Sequence, residues 1–222
     1  EEIAGKIPVE DLRPSWLIFS DGFSQGRVRD LTKRMFDVTI AVIGLVLSAP
    51  IALAVALAVR LESPGPILFR QTRVGAAGRE FTIFKFRSMR EDAEAAGKPQ
   101  WAAKNDSRVT RIGGFLRQSR LDEIPQMWNV LQGTMSFVGP RPERPFFVDQ
   151  LRETIPFYDQ RHAVKPGITG WAQVRFRYGS DESDQTEKLR YDMYYIKHYS
   201  VLFDLRILFE TVRVVFQKNM GR

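Results

Sequence analysis

The chain has 222 residues, 44% hydrophobic and 27% charged, enough apolar material for one domain with a real core or a domain plus a membrane element, and too much for a disordered tail. Basic residues exceed acidic ones by 7, so an anionic partner is expected: nucleic acid, acidic lipid or a phosphorylated substrate. The absence of cysteine excludes disulfides and thiolate metal sites, and two histidines, His162 and His198, offer little to a zinc cage or a histidine triad.

The chain starts at Glu1 with no signal-peptide pattern, as expected for the C-terminal part of something longer. Residues 1–30 carry Pro8, Pro14, Gly22 and Gly26 around Trp16-Leu17-Ile18-Phe19, a short apolar run that reads as a strand or an interfacial anchor. From Val38 to Val59 no residue is charged, and at about 1.5 Å per residue such a helix reaches across a hydrocarbon core of roughly 30 Å. Two features oppose a straight crossing. Basic residues crowd both flanks, Arg27, Arg29, Lys33 and Arg34 before and Arg60, Arg70 and Arg73 after, so the positive-inside tendency gives no direction. Pro50 also interrupts the run, with Ser48 placed to bond a freed carbonyl. Re-entrant and spanning helices both remain open on these grounds.

Pro64-Gly65-Pro66 predicts a sharp turn, and residues 67–74 and 80–87 predict two strands around a glycine-containing turn. Alternation puts Lys85 and Arg87 on one strand face, which serves either solvent or an anion. Residues 91–107 read as a polar connector or lid. In Arg117-Gln118-Ser119-Arg120-Leu121-Asp122-Glu123-Ile124-Pro125-Gln126, a carboxylate pair stands among arginines at the start of a helix that ends at Gly133. Such a terminus favours anions, so the pair is either ordinary capping or a reactive site. Pro140, Pro142, Pro145 and Gly139 stiffen the backbone around Arg141, which suits an arginine that must hold a planar anion. Residues 165–174 form a second stiff turn leading into an apolar segment, and the acidic stretch 179–187 reads as a solvated loop. Tyr191, Tyr194, Tyr195 and Tyr199 suit either packing or an aromatic belt. Residues 201–216 form a helix with Val201, Leu205, Leu208, Val212 and Val215 on one face and Asp204, Arg206, Glu210 and Arg213 opposite, a core helix or an interfacial one.

Taken in order, Lys33-Arg34, the proline-interrupted apolar run, Lys85-Phe86-Arg87, Leu121-Asp122-Glu123, Ser136-Phe137-Val138-Gly139-Pro140-Arg141-Pro142 and Pro166-Gly167-Ile168-Thr169-Gly170-Trp171-Ala172-Gln173-Val174 resemble the bacterial sugar transferases, the monotopic phosphoglycosyl transferases that act on polyprenol phosphates. The resemblance implies an α+β, mostly helical fold with a small β-hairpin, a re-entrant membrane helix over 33–60 and interfacial amphipathic helices. It divides the chain into an N-terminal extension or linker (1–30) and a catalytic domain (31–222). The implied reaction moves a sugar 1-phosphate from a UDP-sugar to a polyprenol phosphate (undecaprenyl phosphate) with release of UMP, through a covalent aspartyl phosphosugar, at the start of exopolysaccharide or other surface-glycan synthesis. By the same resemblance Asp122 is the nucleophile and Glu123 its partner, both are candidate ligands of Mg²⁺, and Lys85, Arg87, Arg117 and Arg141 surround the diphosphate. Ser48 and Pro50 mark the membrane helix break, although Ala49 separates them where relatives have adjacent Ser-Pro. The implied setting is the cytoplasmic face of the bacterial inner membrane, on one leaflet. No nucleic acid partner is implied, since no recognition-helix, RNP-type or zinc pattern is present, and a homodimer is one assembly the resemblance allows.

Overall fold

A computed structural model describes residues 5–7, 26–91, 93, 106–176 and 182–216. The reading of Trp16–Phe19, most of the 91–107 connector and residues 179–181 of the acidic stretch lie outside them.

The longest element is α1 (Arg27–Glu62), 36 residues that remain helical through Pro50. Ser48 Oγ donates to the carbonyl of Leu45 at 3.5 Å, a weak contact, whereas the acceptor that Pro50 leaves without an N–H is one residue further on. Most of the apolar surface of α1 faces outward, with Leu31, Met35, Val46, Leu47, Leu53, Leu57 and Leu61 all exposed. So large an uncovered apolar surface is expected of a helix whose solvent is lipid. Its other face lies along the body. Lys33, Asp37 and Ala41 are buried near one end, Val55 and Val59 near the other.

The hairpin pairs β1 (Leu68–Val74) with β2 (Glu80–Phe86) in antiparallel register, Phe69 opposite Lys85 and Val74 opposite Glu80, as the alternation predicts. Short helices α2 (Arg111–Ser119) and α3 (Gln126–Gln132) follow, joined by a 3-10 turn over Leu121–Glu123. The sequence gives no sign of the next pairing, a parallel bridge of β3 (Ser136–Val138) with β4 (Gly167–Thr169). Glycine makes it possible, since a Cβ on Gly139 would meet the carbonyl oxygen of Lys165 at 2.3 Å. Around this bridge lie α4 (Pro145–Thr154), α5 (Trp171–Arg175), α6 (Glu182–Lys197) and α7 (Val201–Phe216). Val138, Val148, Leu189, Met193, Tyr195 and Ile207 form the main core.

One expectation needs correction. Residues 182–187 belong to α6 rather than to a loop, and Glu187 is paired with Lys6 at 2.6 Å and Arg190 at 2.8 Å. The apolar stripe of α7 is turned outward: Leu202, Leu205, Phe209 and Val212 are exposed, while Asp204 is fully buried. A stripe turned outward reverses the inside-out rule that water imposes on a surface helix. The tyrosines pack inside the body, Tyr195 buried and Tyr194 stacked on Trp171. Lys33, one of the basic residues flanking the apolar run, is 3% exposed. It is ion-paired to Asp37 at 2.8 Å and Asp204 at 2.9 Å, and donates to Ser136 Oγ. Its neighbour Arg34 donates to the carbonyls of Val130 (2.5 Å) and Leu131 (2.6 Å), capping the end of α3 where the helix dipole favours a cation.

Candidate active site

Two apolar neighbours bring the reactive groups together. Phe86 and Ile124 are buried in one small cluster with Val55 and Val59 of α1 and Leu116 of α2, so the residues beside them, Lys85 and Glu123, are carried to a common point. A second tie fixes the hairpin against α3. Asn129 is wholly buried, its Oδ1 accepts from the backbone N–H of Phe84 (3.0 Å), and its Nδ2 donates to the carbonyl of Thr82 (2.7 Å). Helix α3 is also lodged against α1, where Gly44 leaves room for Met127: a Cβ there would meet its sulfur at 2.8 Å.

Asp122 and Glu123 are 6% and 7% exposed and occupy the 3-10 turn just ahead of α3 rather than its first turn. Their surroundings differ sharply. Glu123 Oε1 receives Lys85 Nζ at 3.0 Å and Arg141 at 3.3 Å, with Arg120 at 3.7 Å. Burial alone would raise the Glu123 pKa, but Lys85, Arg141 and Arg120 hold it far below the usual carboxylate range. Asp122 moves the other way, raised first by burial and then by the charge of Glu123, against the pull of Lys85, Arg120 and Arg141. Its Oδ1 is buried with no hydrogen-bond partner among the described residues. Burial lowers the pKa of Lys85, partly offset by Glu123. Three cations against one firmly ionised carboxylate leave a positive surplus beside Asp122, the setting a diphosphate needs.

Of the six residues named from sequence for chemistry, the structure brings four together: Lys85, Asp122, Glu123 and Arg141. Arg87 is elsewhere. It follows β2, and its guanidinium donates to the carbonyls of Pro64 and Ser63, both at 2.7 Å, holding the chain just past α1 instead of facing an anion with Lys85. Arg117 Nε donates to Ser88 Oγ at 2.9 Å, outside the ring around Glu123. Arg120 takes the place expected of them. It closes α2 in the left-handed region at φ 60°, a conformation a non-glycine residue adopts at a cost. Arg120 stands two residues before the carboxylate pair, and only that adjacency could have singled it out.

Arg141 is held at backbone and side chain. Arg161 donates to its carbonyl at 2.9 Å while pairing with Asp192 at 2.9 Å. Its Nη1 donates to Gln173 Oε1 (3.3 Å) and its Nη2 to Glu123 Oε1 (3.3 Å). A shallow depression beside it, lined by Gly75, Pro140, Pro142, His162 and Pro166, is too small for a nucleotide sugar.

Among the described residues no three His, Cys, Asp or Glu side chains gather as a metal cage. Mg²⁺ does not require one, since it binds through one or two carboxylates, waters and substrate phosphates. Asp122, with its unpartnered oxygen, fits that role. Glu123, already ringed by cations, is the poorer candidate of the two.

A family model described as bacterial sugar transferase matches residues 28–218. A UDP-N-acetylgalactosamine-undecaprenyl-phosphate N-acetylgalactosaminephosphotransferase of Aeromonas hydrophila is 44% identical, covering 97% of this chain and 50% of that protein. A UDP-glucose:undecaprenyl-phosphate glucose-1-phosphate transferase of Xanthomonas campestris pv. campestris is 46% identical, with 98% and 44% covered. The exopolysaccharide production protein PSS of Rhizobium leguminosarum bv. phaseoli is 44% identical, with 85% and 97% covered. The chain thus spans about half the length of the first two and nearly all of the third.

Proposed function

The chain belongs to the bacterial sugar transferase family, and on that premise we propose that it transfers a sugar 1-phosphate from a UDP-sugar to undecaprenyl phosphate, releasing UMP, in the synthesis of a surface polysaccharide. The observation that carries this reading is the division of labour between adjacent carboxylates. Glu123 is locked as an anion among three cations, and Asp122 is buried, more basic than an ordinary aspartate and unpartnered at one oxygen.

Asp122 attacks the phosphorus that bears the sugar. The bond from that phosphorus to the bridging oxygen breaks, and UMP departs with the oxygen and the electron pair, leaving an aspartyl phosphosugar. A phosphate oxygen of the polyprenol phosphate then attacks the same phosphorus, and breaking the aspartyl–phosphorus bond restores the carboxylate. Lys85, Arg120 and Arg141 offset the charge that would otherwise keep a carboxylate away from a diphosphate, while Glu123 keeps them in place. Asp122 is the residue that would hold Mg²⁺, which when bound would supply further neutralisation of the diphosphate.

The exposed apolar faces of α1 and α7 support association of the chain with a membrane. Polar ties near both ends of α1 support a re-entrant rather than spanning course: Lys33 with Asp37 and Asp204 near one end, Arg87 with Ser63 just past the other. A spanning helix would set its two ends on opposite faces of the bilayer, whereas both ends of α1 are tied to the same body. The body then rests on one leaflet, on the cytoplasmic face where nucleotide sugars are available.

The test is UMP release from a panel of UDP-sugars with undecaprenyl phosphate present. Asp122→Asn should abolish turnover, and only the wild type should gain the mass of one sugar phosphate when acceptor is withheld. Release with no UDP-sugar, or turnover in Asp122→Asn near the wild-type rate, would overturn the reading.

A further inference from the structure

We infer that Gln173 is a positioning residue that aims Arg141 at the donor diphosphate and must be neutral to do so, an inference that rests on the reading just proposed. The terminal nitrogens of Arg141 have separate acceptors, Glu123 Oε1 on Nη2 and Gln173 Oε1 on Nη1, each at 3.3 Å. Two acceptors from different elements fix the plane of a guanidinium as one cannot, and planarity is what lets arginine grip phosphate through two parallel bonds. Gln173 sits on α5, and the turn before it is tied to the Arg141 segment: Gly139 N–H donates to the carbonyl of Thr169 at 2.9 Å, and a Cβ on Gly170 would meet the carbonyl oxygen of Gly139 at 2.2 Å. The two side chains therefore keep a fixed relation.

Charge explains why the residue is an amide. Lys85, Arg120 and Arg141 already share Glu123, and ionised Asp122 removes a further unit from their surplus. A second glutamate at position 173 would accept the same bond from Arg141 but cancel what remains for the substrate. Glutamine supplies the acceptor without the charge. Its Nε2 is buried with no partner among the described residues, leaving a donor available to a substrate oxygen.

The experiment uses the full chain in lipid nanodiscs, with turnover read as UMP release and donor affinity read separately as UDP binding by calorimetry. Gln173→Met removes the acceptor at similar volume, and Gln173→Glu keeps it with a charge. Expected are at least a tenfold loss of kcat/KM for Gln173→Met and at least a tenfold weakening of UDP binding for Gln173→Glu. In an Arg141→Ala background, Gln173→Met should cost less than a further twofold, because a residue acting through Arg141 has nothing left to act on. Losses that multiply across the double variant, a Gln173→Met enzyme at the wild-type rate, or tighter UDP binding by Gln173→Glu would each overturn the assignment. Thermal melts within 2 °C of wild type are required of each variant scored, and one that melts earlier is replaced by Gln173→Leu or Gln173→Asn under the same criteria. Wild-type turnover tests the underlying reading separately, since its absence condemns the reaction and its presence with additive variants condemns only the role of Gln173.

Discussion

Replacing Lys33 with methionine strips from a buried site the cation that Asp37 and Asp204 share. Lys33 is 2.8 Å from Asp37 and 2.9 Å from Asp204, with Tyr195 donating to the far oxygen of Asp204 at 2.8 Å. Removing one member of a buried ion pair costs about 3–5 kcal/mol, a large share of the 5–15 kcal/mol that holds a typical domain together. The sign of the pH dependence is specific. Burial raises the Asp204 pKa to about 6, with Lys33 and Tyr195 pulling it down and Asp37 pushing it up. A carboxyl raised in the folded state contributes stability below its unfolded pKa of about 4 and loses it as pH climbs through the folded value. Without Lys33 that value rises further, each unit costing roughly 1.4 kcal/mol more at pH 8. Unfolding of the full chain in detergent at pH 8, 7, 6 and 5 should show Lys33→Met least stable at pH 8 and partly recovered at pH 5. The wild type should change little above pH 6 from this group. Asp37→Asn and Asp204→Asn, which each leave one lysine facing one carboxylate, should lose less. A Lys33→Met protein within about 1 kcal/mol of wild type at pH 8, or a loss independent of pH, would refute the reasoning.

Glu123→Gln removes the neighbour whose charge helps raise Asp122 and leaves three cations uncompensated, so the acid limb of kcat/KM should move to lower pH even as the rate falls; an unmoved or raised limb refutes the coupling. Arg120→Gly relaxes a left-handed residue, so stability should hold or rise by up to about 1 kcal/mol while the donor KM increases; a clear destabilisation would show that Arg120 holds the turn together instead. Single cysteines replacing Gly26 and Arg79, before and after α1 in a chain with no other cysteine, should both be labelled only from the cytoplasmic side, and labelling from opposite sides rules out the re-entrant course.

What the sequence made legible follows the range of the interactions involved. The hairpin could be read because alternation and a glycine turn are local signals, and the register bears it out. The Asp122-Glu123 pair and two of its cations, Lys85 and Arg141, stood out through an ordered set of motifs, whereas Arg120 did not, because its approach to Glu123 depends on a left-handed residue that no motif marks. Arg87 was misread because strand alternation describes a side chain only while the strand continues, and β2 ends at Phe86. Asp204 was placed on the polar face of α7 by a rule that assumes water outside, while its partner Lys33 lies far away in sequence. The three-residue strands β3 and β4 are too short to leave any period at all.

Asn129 has a consequence for what this molecule does in company. The hairpin has only two strands, so β2 shows its outer row of backbone groups to whatever lies beside it. The Asn129 carboxamide occupies two of those groups, the N–H of Phe84 and the carbonyl of Thr82, much as a third strand would. One side chain thereby blunts a ribbon edge whose free backbone groups would otherwise be open to pairing with the same edge of a second molecule. Asparagine at this position covers part of that edge as well as holding the hairpin to α3.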